Sequence, residues 1–256
     1  MDKGKYVHIF CDDDIYYKNT LPEVLNEISK KNYGSIFLRP YGFYENHEDE
    51  YPLNLSGKNV SLGAEDFLLK ITTQITLASA HIINKSLIKD IDANKYCGTN
   101  LVQVNLILDA ITRSKSCLYF KKYIIAIQKN NSGGYDLYDV FVNNFSSILQ
   151  SYVDKKLITS QLKKKIECKN IKCFFPSYIF RSMFYLKENM SNIETKFKIL
   201  HKYKCYKFFI KPIFKLPYTF ALMWCFFITI YGRLINGDIA LLLTFIKNIK
   251  KEKIFK

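Results

Sequence analysis

The chain has 256 residues, and its seven cysteines, odd in number and without a CxxC pair, argue against a disulfide framework and a cysteine-based metal site. The charge is uneven, because residues 1–110 hold 15 acids and 11 bases whereas residues 111–256 hold 8 acids and 27 bases. This asymmetry predicts a site for chemistry in the first part and a surface for an anionic partner in the second: anionic lipid, nucleic acid or a polyanionic substrate.

A short apolar segment over residues 6–10 predicts a buried strand, because buried parallel strands form near-continuous apolar runs. Three carboxylates follow it directly, Asp12, Asp13 and Asp14. Like charges repel, so such a cluster requires either a cation or full solvation. Ligands of open α/β sheets lie at the carboxyl ends of strands, so the triplet predicts a divalent-metal site carrying a phosphorylated ligand. The alternative is a solvated turn in which Asp14 caps a helix beginning near Tyr17.

Helical and extended periodicities alternate along the rest of the first 150 residues, which predicts an α/β fold. In chain order we predict a helix over 21–28, a strand over 34–39, a helix over 66–80, a strand over 81–84, a helix over 101–111 and a strand over 119–128. An acidic, polar loop over about 44–58 follows the second of these elements, and residues 130–134 end the last one. From residue 135 onward the pattern becomes helical and increasingly basic.

Residues 5–15, followed by Leu21 and Pro22, resemble the DxD region of inverting family 2 glycosyltransferases of the GT-A fold. Residues 34–38 and 80–84 follow in the order of that family. Residues 96–101, followed by 130–135, are similar to its abequosyltransferase-like branch, which decorates bacterial surface polysaccharides. The resemblance covers about residues 4–150.

The chain departs from the family pattern in two places. Relatives carry about 80–100 residues before the DxD motif, which form the nucleotide-binding half of the fold. Here the motif begins at residue 12, so we expect that half to be missing through an internal start, a frameshift or a split gene. Residues 98–100 read Gly-Thr-Asn where many relatives carry an acidic pair, and neither Thr nor Asn serves as a general base at neutral pH.

The resemblance implies a divalent cation, Mg²⁺ or Mn²⁺, that bridges the diphosphate of a nucleotide-sugar donor and stabilises the leaving group. Asp14 would then be the direct metal ligand. Asp12 would bind the metal or the ribose, and Asp13 would hold the nucleotide sugar.

An acceptor hydroxyl would lose its proton to a carboxylate, for which Asp92 and Asp66 are the candidate catalytic bases. The alternative for each is an exposed carboxylate at a helix end. His47 and His81 are weaker candidates, because a lone histidine is usually a satisfied surface or core group.

The second part contains sixteen residues without a charge, 216–231, which is short of the about 20 residues of a spanning helix. Three aromatic residues and four flanking bases predict an interfacial position against anionic headgroups: Tyr218, Trp224, Tyr231, Lys207, Lys211, Lys215 and Arg233. The alternative is a buried helical hairpin packed on the catalytic domain. The basic, tyrosine-rich residues 202–208 suit RNA, but no recognition module accompanies them, so we predict no nucleic-acid partner.

We therefore predict a partial GT-A (Rossmann-like) domain over 1–150 and a basic, mainly helical, membrane-associating region over 151–256. The expected activity is inverting transfer of a sugar from a nucleotide sugar to a lipid-linked glycan acceptor in bacterial surface polysaccharide synthesis. The expected location is the cytoplasmic face of the inner membrane, where the cysteines stay reduced. A truncated chain should have little activity alone, which makes a complementary N-terminal fragment a candidate partner. Two alternatives stay open: an inactive glycosyltransferase remnant, and a non-catalytic basic peripheral membrane or interaction protein.

Overall fold

The computed structural model describes residues 4–52, 57–97, 101–129, 136–186, 188–239, 242, 243 and 246. The chain divides into two compact units. The first unit is drawn from Met1–Tyr135 and Ser151–Thr159, and the second from Asp136–Gln150 and Ser160–Lys256. The helix Phe145–Asp154 crosses residue 150, where the sequence places the domain boundary.

Strands in the described residues all belong to the first unit. They are β1 (Tyr6–His8), β2 (Ile15–Tyr16), β3 (Ser35–Phe37), β4 (Pro40–Phe43), β5 (Val60–Leu62), β6 (His81–Asn84), β7 (Cys117–Tyr119) and β8 (Ile125–Gln128). One sheet has the order β1-β6-β3-β7-β5 and the other the order β2-β8-β4. The pairs β3–β7 and β4–β8 are parallel, and the remaining neighbours are antiparallel.

Helices carry the rest of the fold. They are α1 (Leu21–Lys30), α2 (Ala64–Ile71), α3 (Val102–Thr112), α4 (Phe145–Asp154), α5 (Ser160–Cys173), α6 (Phe175–Arg181), α7 (Met190–Lys196), α8 (Lys204–Phe209), α9 (Lys211–Lys215) and α10 (Tyr218–Ile235). The mixed α/β class and the mainly helical C-terminal region are confirmed. The predictions of α1, β3, β6 and α3 are also confirmed, to within a few residues at each end.

The prediction of a fully buried strand over residues 6–10 is wrong. β1 ends at His8, is half-buried, and lies at the edge of its sheet, where Val7 pairs with Ile83 of antiparallel β6. Ile9 and Phe10 are each 39% exposed. An edge strand has one neighbour instead of two, so its apolar run is covered from one side only.

Two other elements are shorter than their predictions. The strand expected over 119–128 is divided into β7 and β8, which lie in different sheets and are joined through Lys121 and Lys122. The helix expected over 66–80 ends at Ile71, because the backbone of Thr72 has a φ of +48° and an α-helix requires a negative φ. A β-branched residue rarely adopts such a value. A 3₁₀ turn over Thr72–Thr76 continues the chain.

Each unit has its own core. In the first unit, apolar residues of α1, β3 and the β7–β8 connection pack together, and the fully buried members include Val24, Ile36, Leu38, Phe120 and Ile124. In the second unit, helices supply most of the core among the described residues, and α10 packs against α5, α6 and α9.

Candidate metal centre

The acidic residues predicted to form a site lie in a tight turn between β1 and β2. We call residues 11–14 the acidic turn. The backbone nitrogen of Asp14 donates to the carbonyl of Cys11 at 3.3 Å, which closes the turn. Aspartate is common in turns because its short carboxylate bonds to nearby backbone groups. The turn carries the chain from the edge of the five-stranded sheet into the three-stranded sheet.

Three side chains of the acidic turn converge. One ligand atom each from Cys11, Asp13 and Asp14 lies within 4.8 Å of the others, a spacing that would suit a metal ion. Asp12 is exposed and lies outside this group. The turn therefore brings together Asp14, predicted to ligate the metal, with Asp13, predicted to hold the nucleotide sugar.

Ser79 anchors the acidic turn from a distant part of the sequence. It lies in the 3₁₀ turn Ala78–Ala80, directly before β6, and is 1% exposed. The backbone nitrogen of Cys11 donates to the Ser79 hydroxyl oxygen at 2.9 Å. The same hydroxyl bonds to the Asp14 carboxylate, which also accepts from the backbone of Gln128 in β8. Asp14 is thus held by a residue of the turn that directly precedes β6 of one sheet and by a residue of β8 in the other.

The environment of Asp14 disfavours its charged form. Burial raises the pKa of this carboxyl above its usual range, and the neighbouring charge of Asp13 acts in the same direction. The hydrogen bonds from Ser79 and Gln128 oppose the shift without cancelling it. A cation beside Asp13 and Asp14 would remove the repulsion between the two carboxylates, so this electrostatic arrangement favours cation binding.

His8 and two aromatic rings stand next to the acidic turn. The His8 Nε2 lies 2.9 Å from the Ser79 carbonyl, to which it donates, and Nδ1 then accepts from the Tyr16 hydroxyl at 3.0 Å. Burial lowers the pKa of His8, so its ring is neutral at pH 7 with both nitrogens engaged. The Phe10 ring stacks on Tyr16 at 5.3 Å between centroids. His8 therefore positions the turn and is not poised to accept a proton.

The two predicted catalytic bases are placed elsewhere in the first unit. Asp92 is exposed and caps the 3₁₀ turn Ala93–Tyr96, accepting from the backbone nitrogen of Asn94 at 3.1 Å. Asp66 is exposed in the first turn of α2. Neither belongs to the group formed by Cys11, Asp13 and Asp14. The predicted departure at residues 98–100 lies outside the described residues.

The two histidines considered as weaker bases have structural partners. His81 is 2% exposed and bonds through its ring to the Ser35 hydroxyl at 3.2 Å and the Gln74 carbonyl at 3.3 Å. Burial lowers the pKa of His81 to about 3, so it is a neutral core group. The carbonyl of His47 accepts from the Tyr41 hydroxyl at 2.7 Å, which holds the loop that follows β4.

Sequence reasoning missed Ser79, His8 and Tyr16 as parts of the site. The signal for His8 and Tyr16 was available, since both flank the acidic triplet within a few residues. Ser79 gave no local signal, because its role depends on the pairing of β1 with β6. Sequence reasoning also missed Asp109, which lies outside the acidic turn. This carboxylate of α3 is 4% exposed and accepts a hydrogen bond from the Tyr96 hydroxyl at 3.1 Å. An acid within the apolar pattern of α3 was the sign of that buried role.

No protein-family model and no curated protein sequence matches the chain. Among solved structures, the chain is similar to residues 1–349 of S. aureus TarS in complex with UDP-GlcNAc, with 12% identity and a TM-score of 0.45 over 93% of this chain and 68% of that one. A structure of TarS 1–349 gives 12% identity and a TM-score of 0.49 over 92% and 68%. A longer TarS structure gives 13% identity and a TM-score of 0.42, and the match covers 72% of this chain and 29% of that one. Similarities this distant carry no functional argument.

Proposed function

We propose that the chain is a glycosyltransferase-type protein whose acidic turn holds a divalent cation and the diphosphate of a nucleotide sugar. The observation that carries the proposal is that the Asp13 and Asp14 carboxylates converge within 4.8 Å, beside the Cys11 thiol, on a turn anchored by Ser79. The resemblance of residues 5–15 to the DxD region supports it. A solvated turn would not require a buried hydroxyl bonded both to its backbone and to its carboxylate.

The donor set fits Mg²⁺ or Mn²⁺. The Asp13 and Asp14 carboxylates supply hard oxygen ligands, and such ions complete their shell with water and phosphate oxygens. The Cys11 thiol is a soft ligand that suits neither ion, so it is a neighbour of the site and not one of its ligands. When bound, the cation would neutralise negative charge that develops on the departing diphosphate.

The protein side chains have separate tasks in this proposal. Asp12, exposed at the turn, reaches the ribose or the metal as the resemblance implies. The stacked pair of Phe10 and Tyr16 offers an aromatic wall for a planar base or a sugar ring. Ser79 and His8 fix the turn, so that the ligands are in place before the donor binds.

The finer proposal is inverting transfer to a lipid-linked glycan of a bacterial surface polysaccharide. The acceptor oxygen forms a bond to the anomeric carbon as the bond from that carbon to the diphosphate oxygen breaks. The acceptor proton goes to a carboxylate, for which we propose Asp92 or Asp66. Membership of the abequosyltransferase-like branch rests partly on residues 98–100 and 130–135, which lie outside the described residues.

A thermal-shift panel tests the proposal. The full chain is heated with Mn²⁺ and UDP-, GDP-, dTDP- and CDP-linked hexoses and deoxyhexoses. We expect at least one donor to raise the melting temperature only when Mn²⁺ is present, since a ligand at 100 times its Kd adds about 2.7 kcal/mol to the free energy of unfolding. Asp14→Asn should abolish the shift, and Asp49→Asn, which removes an exposed acid of the loop after β4, should retain it. A panel without any Mn²⁺-dependent shift would favour the non-catalytic alternative.

A further inference from the structure

The outer face of α10 is made of large apolar side chains. They recur at intervals of three and four residues, which places them on one side of the helix. We define the α10 outer face as Phe220, Met223, Phe227, Tyr231 and Leu234, which are between 47% and 61% exposed. Surface helices normally carry polar residues on the side that faces water, whereas the exposed side of α10 is apolar. A continuous exposed apolar patch of this kind marks a site of interaction.

A neighbouring helix extends the patch. Phe208 of α8 is 62% exposed and packs edge to face with Trp224 at 5.9 Å between ring centroids. Trp224 in turn donates through its indole nitrogen to the Phe209 carbonyl at 3.2 Å. Phe209 stacks on Tyr231 at 5.8 Å. The aromatic residues of α8 and α10 therefore form one connected apolar surface.

The opposite face of α10 is packed inside the second unit. Cys225, Ile228 and Gly232 are buried there. A Cβ atom added at Gly232 would lie 2.6 Å from the Lys172 carbonyl oxygen of α5, so the two helices approach each other closely. By length and composition α10 could cross a membrane, and 28% of it is buried in the protein. Because α5 and α6 cover one side of α10, only its outer side is accessible to a binding partner.

The charge around the patch is predominantly positive. Residues 195–237 contain eight Lys and Arg residues and no Asp or Glu. Exposed bases lie on α9, which packs on α10, and on α8, which bonds to it through Phe209: Lys204, Lys207, Lys211 and Lys215. Lys215 pairs with Glu194 at 3.1 Å. An apolar surface bordered by bases complements an anionic lipid surface, in which acyl chains lie below negatively charged headgroups.

We infer that the α10 outer face docks onto an anionic lipid bilayer, with α10 lying along the membrane surface and its apolar side chains in the headgroup–acyl boundary. A second copy of the chain is the poorer occupant, because a symmetric contact would bring two sets of bases together. The inference concerns the second unit alone and does not depend on the proposed sugar chemistry.

Vesicle sedimentation with the full chain tests the inference. The probes are phosphatidylglycerol/phosphatidylethanolamine vesicles and neutral phosphatidylcholine vesicles. We expect tighter binding to the anionic vesicles and only partial release by salt, because the apolar contribution is not screened. The double variant Phe220→Ser/Phe227→Ser should weaken binding about tenfold or more, since it removes two large apolar contacts. The matched control Leu21→Ser/Leu25→Ser, on exposed positions of α1, should bind as the unaltered chain does.

A second variant measures the contribution of charge to vesicle binding, at exposed positions where substitution should not disturb folding. Lys207→Gln/Lys211→Gln changes only exposed side chains, and it should weaken binding to anionic vesicles about 25-fold at low salt, or about fivefold for each lysine. If either folded double variant binds anionic vesicles as tightly as the unaltered chain, the inference is wrong. The inference is also wrong if the unaltered chain does not bind vesicles and sedimentation velocity instead shows a dimer that is absent in Phe220→Ser/Phe227→Ser.

Discussion

The Ser79 hydroxyl oxygen lies 2.9 Å from the backbone nitrogen of Cys11, although 68 residues separate the two in the sequence. This contact joins the loop before β6 to the acidic turn after β1, because the two strands are antiparallel neighbours. The Ser79 carbonyl accepts from His8, and its hydroxyl also bonds to Asp14. One buried serine thus fixes both the backbone and a carboxylate of the candidate metal centre.

Ser79→Ala should weaken Mn²⁺ binding about 10- to 100-fold, the usual effect of removing a group that orients a metal ligand. The variant leaves the Cys11 N–H without its acceptor and the Asp14 carboxylate without one of its hydrogen bonds. Isothermal titration with Mn²⁺ measures the change. Ser61→Ala, which removes an exposed hydroxyl from β5, is the control and should leave the affinity unaltered. Unchanged affinity in a folded Ser79→Ala protein would show that the serine does not orient Asp14.

The stability of the chain should fall in mild acid because of His81. Its folded pKa is about 3, well below the ordinary 6.5, so only the unfolded chain takes up a proton as the pH falls through 6.5. The free energy of unfolding should therefore be lower at pH 5.5 than at pH 7.5, by about 1 kcal/mol for this residue.

Urea denaturation at pH 5.5 and pH 7.5, with one variant of His81 and one of His201, measures this pH dependence of stability. His81→Gln should reduce the difference between the two pH values by about that amount, whereas His201→Gln, at an exposed position, should retain it. A pH dependence that survives unchanged in His81→Gln would mean that the ring is protonated in the folded chain.

A buried ion pair in the second unit should behave differently from a surface pair. Lys163 and Glu167 are 4% and 3% exposed and lie 2.7 Å apart, and Glu167 also accepts from Ser146 and Tyr203. Glu167→Gln leaves the Lys163 ammonium buried without a counter-charge, which should cost about 3–5 kcal/mol of stability. Adding Lys163→Met should recover most of that loss, because no buried charge is then left unpaired.

The control for this prediction is the surface pair Lys30–Glu27, whose charged atoms lie 2.6 Å apart on α1 and whose side chains both reach solvent. Glu27→Gln should cost about 1 kcal/mol or less in the same urea titration, since water screens the pair. If Glu167→Gln costs no more than Glu27→Gln, the Lys163 ammonium has access to water that the structure does not show.

The elements that could be predicted from the sequence are those set by local periodicity. Val24 is buried and the adjacent Leu25 is exposed, and the apolar spacing of α1 was sufficient to place the helix. The alternation of α1, β3, α2, β6 and α3 gave the α/β class in the same way. The acidic turn was also local, because three consecutive carboxylates after an apolar segment are visible without any tertiary information.

The features that escaped prediction depend on tertiary pairing. No pattern in residues 119–128 tells that Tyr119 belongs to one sheet and Ile125 to another. Ser79 lies in an ordinary polar sequence and reaches the acidic turn only through β6. For α10, composition gave the uncharged run, but the packing at Gly232 decides which side of the helix stays exposed. Packing on α5 and α6 covers one face of α10 and leaves the other exposed. Contact of that exposed face with lipid stays a proposal.

The central claim is that Asp13 and Asp14 hold a divalent cation, and a direct measurement is Mn²⁺ titration followed by electron paramagnetic resonance of the free ion. The account predicts one saturable site in the full chain, its loss in Asp14→Ala, and its retention in Asp49→Asn. Because the cation must displace protons from a carboxyl of raised pKa, affinity should also fall as the solution is acidified. Equal, weak and non-saturating binding by the full chain and Asp14→Ala would contradict the account and leave the acidic turn as a solvated surface feature.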